Sequence, residues 1–159
     1  MVLPGLKDPR LVRLHDYWAS KIGSDGALPC REDLDPRGMG ASVLPWIILL
    51  DVIETPKGRY GRRYRYRVVG TEVVDRFGFD PTGKYVDDLG DTDMIRLVHR
   101  YMDEAVSSRR ASVTQTPFMG PDREFLSTER LILPLRGKDH DCVAKLIVVP
   151  LAEPAMAAC

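Results

Sequence analysis

The chain has no stretch approaching the ~20 consecutive apolar residues that a membrane-spanning helix needs, so its sequence offers nothing to insert into a bilayer. Only 3 of its 159 residues are cysteine. Cys30, Cys142 and Cys159 are odd in number, scattered, and never in CxxC spacing. That excludes a disulfide framework and a cysteine-built zinc site, and it fits a reduced, cytoplasmic setting. Net charge is missing too: Lys+Arg and Asp+Glu stand at 23 each, which removes bulk attraction to nucleic acid or to an anionic membrane surface. Residues 1–11 hold two prolines, a glycine and an aspartate, unlike a signal peptide. Neither an internal repeat nor a low-complexity run is present.

Chemistry-bearing constellations are equally scarce. His15, His99 and His140 fall on three different expected elements, without HxH or HExxH spacing. Gly70, Gly78 and Gly83 form neither GxGxxG nor GxxxxGK[ST], so no phosphate-cradling loop is read. Asp139-His140-Asp141-Cys142 sets acid, base and thiol side by side, yet neighbours in a hairpin loop do not converge on one reacting atom. No GxSxG accompanies them. The reading therefore names no catalytic residue and no metal ligand, takes the chain for a non-enzyme, and leaves any cofactor unspecified.

What the chain does have is pattern. A hydrophobic share of 44% over this length supports one domain with its own core. In the stretch from Arg62 to Leu89, Tyr64, Tyr66 and Val68 alternate with Arg63, Arg65, Arg67 and Val69, the period of a strand. Thr71 is expected to cap a short helix with Val73, Val74 and Phe77 on one face and Gly78 closing it. Asp80-Pro81-Thr82-Gly83 is turn chemistry. Upstream, Asp8 then Pro9 starts an amphipathic helix to about residue 22, with a narrow seam of Leu11, Leu14, Trp18 and Ile22. That seam suits docking on the domain and pairing with a second copy equally. Asp35-Pro36 starts a second helix, expected to reach about Ser42.

Trp46 to Ile53 is an apolar run with a single aspartate. Bounded by Pro45 and the Thr55-Pro56-Lys57-Gly58 turn, it reads as a buried strand. Asp91 or Thr92 caps a long helix with Ile95, Val98, Tyr101, Met102 and Ala105 on one face, ending near Ser108. Ala111 to Met119, Arg123 to Leu135 and Cys142 to Leu151 read as an antiparallel meander. Two strands, helices, then three strands is an α+β layout. The expected division is an extension with the amphipathic helix (1–27), a domain (28–151) and a tail (152–159).

Arg65-Tyr66-Arg67-Val68-Val69-Gly70-Thr71 and Phe77-Gly78-Phe79-Asp80-Pro81-Thr82-Gly83, with the earlier Leu28-Pro29-Cys30-Arg31-Glu32-Asp33-Leu34-Asp35-Pro36 and Leu44-Pro45, resemble a PAS-like family common in alphaproteobacteria. The resemblance implies a five-stranded antiparallel sheet with helices packed on one face, used for sensing or for protein contacts. It carries over no catalytic residue. Some haem-binding members place an axial histidine on the helix that would carry His99; an ordinary surface or satisfied histidine is the preferred reading here.

A pocket is expected between the sheet and the long helix. Tyr64, Tyr66, Val73, Phe77, Phe79, Tyr101 and Phe118 are candidates to line it, against the alternative that they fill a core. Arg63, Arg65 and Arg67 are candidates for anion or partner contacts. The competing reading pairs them with acids such as Asp51, Glu124 and Glu129. Alternation separates Tyr64 and Tyr66 from the arginines, which disfavours stacking on nucleic acid. The leading expectation is a stand-alone sensory module without an attached output domain. It would bind a small ligand or a signalling protein partner and act through partner binding or homodimerisation, with Leu11, Leu14, Trp18 and Ile22 as interaction candidates. A constitutive adaptor without a ligand is the alternative, and a nucleic-acid or anion binder the weaker one.

Overall fold

The structure, a computed structural model, describes residues 3–56, 61–117 and 127–152. Its centre is a five-stranded antiparallel sheet in the order β2-β1-β5-β4-β3. The strands are β1 (Ile48–Glu54), β2 (Arg62–Val69), β3 (Ser112–Pro117), β4 (Ser127–Arg136) and β5 (Val143–Ala152). First and last strands meet in the middle, with Ile48 opposite Val148 and Asp51 opposite Lys145. Helices α1 (Pro9–Ser20) and α2 (Pro36–Met39) precede the sheet, while α3 (Thr71–Phe77) and α4 (Asp93–Ser108) connect β2 to β3. This is the α+β arrangement the pattern implied, and the last three strands form the expected meander.

Strand parity separates two faces. Ile48, Tyr66, Arg130 and Val148 face α3 and α4, where Val73, Val98 and Met102 meet them. Leu49, Leu131, Leu133, Ile147 and Val149 point the other way and are buried as well. A sheet apolar on both faces needs a second covering layer, and the N-terminal segment supplies it. Glu129, on that second face, accepts hydrogen bonds from the N–H groups of Lys7 at 2.6 Å and Asp8 at 3.2 Å, just ahead of α1. The Trp18 indole N–H donates to the Pro134 carbonyl at 3.0 Å. Leu11 and Leu14 are fully buried and Trp18 nearly so. Of the two destinations open to the seam, it takes the domain's own sheet. Leu11, Leu14 and Trp18 are therefore core residues here and not a free face for a second copy; Ile22, past the helix end, is half-buried.

Several boundaries follow the expected cap chemistry. Asp8 Oδ1 accepts from the Arg10 N–H at 2.9 Å behind Pro9, and the Thr92 hydroxyl accepts from the Ile95 N–H at 3.1 Å. Gly78, at φ 80, closes α3 in the left-handed conformation. Other boundaries differ. Thr71 is the first residue of α3 and Gly70 holds the cap position. The Gly70 N–H donates to the Ile47 carbonyl at 2.7 Å, and a Cβ there would lie 2.2 Å from the Pro45 carbonyl oxygen, so only glycine fits this crossing. Trp46 belongs to a 3-10 turn, Leu44–Trp46, and α2 stops at Met39. Val68 also leaves the Tyr64–Tyr66 face. Leu49 pairs with Val68 but Leu50 with Tyr66, so a bulge inserts Arg67 and reverses the alternation. Val68 ends 51% exposed on the other face.

Because α1 is glued to the sheet by packing and not by surface contacts, Leu14→Ala should lower unfolding stability by about 2–5 kcal/mol, the range for a leucine deleted from a core. Urea denaturation measures this. A midpoint shift no larger than that of an exposed-leucine control such as Leu44→Ala would contradict the docking of α1.

Candidate functional site

Between the sheet and the α3–α4 layer lies a cavity of about 50 Å³. Its walls are Ile48, Tyr66, Thr128, Arg130, Val148 and Pro150 from the sheet, Val73, Arg76 and Phe77 from α3, and Ile95, Val98 and Met102 from α4. Trp46, Val86 and Leu89 complete it. The α4 contributors recur at spacings of three and four, which keeps them on one helix face. Tyr66 and Phe77 meet edge to face with ring centroids 6.4 Å apart, and Phe77 leads on to Phe79 at 6.0 Å. The Arg76 guanidinium sits 4.8 Å from the Trp46 ring centroid at the rim.

From the sheet, two polar side chains, Arg130 and Thr128, stand in the cavity wall. Arg130 is 7% exposed, and burial pulls its guanidinium down to about 10, with the Tyr66 and Tyr101 phenols acting the other way. It stays cationic at neutral pH. Thr128, two residues along β4 on the same face, is 1% exposed and its hydroxyl has no hydrogen-bond partner. Thr114 pairs directly with Arg130 across β3 and β4, and Ser112 with Ile132. Both hydroxyls are likewise buried without a partner. A buried hydroxyl left unmet costs about 1–3 kcal/mol.

Behind the cavity, Tyr64 donates its hydroxyl proton to Asp103 Oδ1 at 2.5 Å and packs edge-on against His99 with centroids 4.9 Å apart. His99 is 1% exposed, with Nδ1 3.4 Å from Asp103 Oδ2. Burial above all, with the Asp103 carboxylate adding to it, pushes the Tyr64 phenol well above the usual tyrosine range, and burial does the same to Tyr66. His99 thus faces Tyr64 and Asp103, and a cavity of this size does not admit a porphyrin, so the residues present do not fit a haem. Among the described residues no cluster of three His, Cys, Asp or Glu is placed to hold a metal.

The arginine row is a paired row. Arg65 and Lys145 hydrogen-bond to Asp51 at 3.2 and 2.5 Å, a line across β2, β1 and β5. Arg67 reaches the same carboxylate at 3.9 Å. Arg63 binds Asp87 and Asp88 at 3.1 and 2.9 Å and stacks 3.7 Å from the Tyr85 ring centroid. Asp51 was the correct partner; Glu129 serves the start of α1 instead, and Glu124 lies outside the described residues.

Of the seven lining candidates, Tyr66, Val73 and Phe77 line the cavity. Tyr64 packs behind it, and Tyr101 is half-buried within electrostatic reach of Arg130. Phe79 is 45% exposed, beyond the glycine that ends α3, and does not line the wall. Phe118 lies outside the described residues. The sequence reading missed Thr128 and Arg130. Period-two parity counted back from Ile132 would have set both on the inner face of a strand otherwise rich in leucine.

The chain matches the model of the PAS domain family over residues 6–149. No curated protein matches it by sequence. Among solved structures it resembles a sensory box sensor histidine kinase from Vibrio cholerae, with a TM-score of 0.50 and 14% identity over 74% of this chain and 92% of that one. It also resembles a LOV protein from Rhodobacter sphaeroides, with a TM-score of 0.50 and 10% identity over 78% of this chain and 71% of that one. At such identities the likeness shows a shared fold.

Two pH responses follow from the geometry. Burial alone would raise Asp51, but the hydrogen bonds from Lys145 and Arg65 outweigh it and hold the carboxyl below its ordinary range. A depressed carboxyl stabilises the fold above about pH 3.9, and that share is lost as pH falls through the lower folded value. Asp51→Asn should therefore flatten the acid limb of a stability–pH profile; an unchanged limb would contradict the pairing. Tyr64 and Tyr66 shift the other way, so their contribution is whole below about pH 10 and lost as pH rises beyond it. In an ultraviolet alkaline titration both phenols should ionise only together with unfolding. Six tyrosines titrating in the normal range of a still-folded chain would be the contrary result.

Proposed function

The chain belongs to the PAS domain family, and from that premise we propose that it senses a small molecule in the cavity between the sheet and α4 and relays occupancy to a protein contact. A sensory signalling module is what the family supports; the ligand and the relay are our reading. The observation that carries it is the cavity's construction: a largely apolar chamber with the polar side chains of Thr128, Arg130 and Arg76 in its wall, bounded on one side by the separate helices α3 and α4. A ligand shifts a conformational balance only by binding one arrangement more tightly. Here the discriminating groups are the α3 and α4 side chains, which must part to admit anything much larger than a few waters.

A route outward is present. Tyr66, Phe77 and Phe79 form a chain of ring contacts from the cavity to the surface. The large exposed hydrophobics among the described residues, Leu44, Val68 and Phe79, each lie two positions from a wall residue, namely Trp46, Tyr66 and Phe77. Moving the wall therefore moves apolar side chains that a second protein, or a second copy of this chain, would touch. The small cavity volume favours a second reading, a constitutive adaptor whose interior is already filled.

A thermal-shift screen against small metabolites separates the two. A ligand at a hundred times its Kd contributes about 2.7 kcal/mol, which raises Tm by about 5–10 °C for a domain of this size. Val98→Phe, which fills the chamber, should abolish that gain while leaving the chain folded. No shift from any compound, with a native mass equal to the bare chain, would favour the adaptor.

A further inference from the structure

We propose that a groove between α1 and the α4–β3 junction binds a free fatty carboxylate of medium chain length, with Arg110 receiving its head and the aliphatic wall its alkyl body. The groove is separate from the cavity between the sheet and α4, and the proposal stands without the ligand-sensing reading above.

Three observations converge on it. The first is size. The groove holds about 530 Å³, against about 50 Å³ for the inner cavity. Small-molecule sites typically run from about 300 to 1,000 Å³. Segments far apart in the chain build it: the C-terminal half of α1, the loop holding Leu28, the stretch ahead of α1 at Leu3, and the junction from Arg109 to Ala111. The second is the chemistry of the wall. Leu3, Ala19, Ile22, Leu28 and Ala111 are aliphatic, and among the described residues no carboxylate, hydroxyl or amide side chain lines the groove. A ligand body rich in polar groups would lose their hydration there without finding partners, whereas a hydrocarbon chain gains by burial. Leu11 and Leu14 are fully covered by the sheet, but Ala19 and Ile22 at the end of the same helix stay half-buried. The domain's own packing leaves that end of the seam open.

The third observation is charge. The titratable side chains of the groove are all bases: His15, Arg109 and Arg110. Arg109 ends α4 in the left-handed conformation at φ 58, and its guanidinium donates to the carbonyl and the carboxylate of Asp141. His15 Nδ1 lies 3.4 Å from the Asp16 carboxylate. Arg110 is exposed and forms no ion pair or side-chain hydrogen bond among the described residues. Its planar fork of N–H donors matches the two oxygens of a carboxylate. A hydrocarbon wall beside one uncompensated cation is the complement of an amphiphile with a single anionic head. The chain as a whole carries equal numbers of acids and bases, so an anionic bilayer exerts no bulk pull on it. That favours the free acid as the occupant.

The test uses the full chain, with sodium octanoate below its micelle concentration as the probe and octanol and octylammonium as its uncharged and cationic counterparts. Calorimetry at low ionic strength is read on the parent chain and on Arg110→Gln, Ile22→Glu and Val98→Phe. Octanoate should bind saturably and about fivefold more tightly than octanol, the discrimination available to a solvent-facing ion pair, with octylammonium weaker than either. Along the series from hexanoate to decanoate each added methylene should tighten binding by about two- to fourfold, the upper figure being full burial. Arg110→Gln should remove the preference for the acid while leaving octanol binding and the unliganded Tm unchanged. Ile22→Glu, which sets a carboxylate in the half-buried wall, should abolish octanoate binding; if it fails to fold, Arg110→Gln carries the comparison. Val98→Phe, which fills the inner cavity, should leave octanoate binding as it is. Octanoate held no better than octanol overturns the assignment, as does an Arg110→Gln chain that keeps the preference. Loss of binding in Val98→Phe overturns it too and moves the acid to the inner cavity. A chain that is dimeric by light scattering without octanoate and monomeric as Ile22→Glu gives the groove to a second copy, which also overturns it. Absence of octanoate binding up to millimolar concentration overturns the groove site and leaves the sensing reading of the inner cavity standing.

Discussion

The short antiparallel pairing of β1 with β5, four residues from Ile48 to Asp51 against Lys145 to Val148, holds the molecule together. Asp51 and Lys145 are 94 positions apart in the chain, so closing this ladder commits most of the polypeptide to one topology before its local contacts can reward it. Once closed, β2 extends the sheet on one side, and β4 with β3 extends it on the other. Both covering layers then have a surface to rest on. α1 lies on one face through the leucines of its seam, and α3 with α4 on the opposite face through the cavity walls. Neither layer would have a floor without that central pair.

The two faces treat charge in opposite ways. Across the outer face the carboxylate of Asp51 gathers three cations, and all of them keep part of their surface in water. Such partly hydrated pairs contribute little individually and align the register of three strands. On the inner face one guanidinium, Arg130, is almost fully buried, and the hydroxyls of Thr128, Thr114 and Ser112 on the same sheet face are left unmet. Buried hydroxyls are ordinarily met in a folded interior, so those on this inner face depart from the rule. Departures of that kind concentrate where a protein does something other than fold.

The fold was legible because its signals are local and redundant. Asp8-Pro9 and Thr92 mark helix starts, Gly78 a helix end, and the β-branched runs of the last third mark strands. The destination of the α1 seam was not legible. Leu11, Leu14 and Trp18 state only that one face must be covered, and a second copy or the chain's own sheet satisfies that equally. The bulge at Leu49–Leu50 was hidden for a different reason: it depends on the pairing of two strands and leaves no trace in either alone. It moved Val68 to the outer face. The cavity was half legible. Aromatic and apolar residues draw attention, whereas Thr128 and Arg130 look like surface residues until the parity of β4 is counted from its apolar centre.

The chain holds two tryptophans, and the sheet divides them. Trp46 sits in the cavity rim beneath the Arg76 guanidinium, and Trp18 on the far side of the sheet is tied by its indole N–H to the Pro134 carbonyl. Each layer thus carries its own intrinsic fluorophore, one quenchable by a cation and open to whatever enters the chamber, the other reporting only whether the N-terminal helix is seated. Emission from single-tryptophan versions of this protein reads the two layers independently, without any added dye.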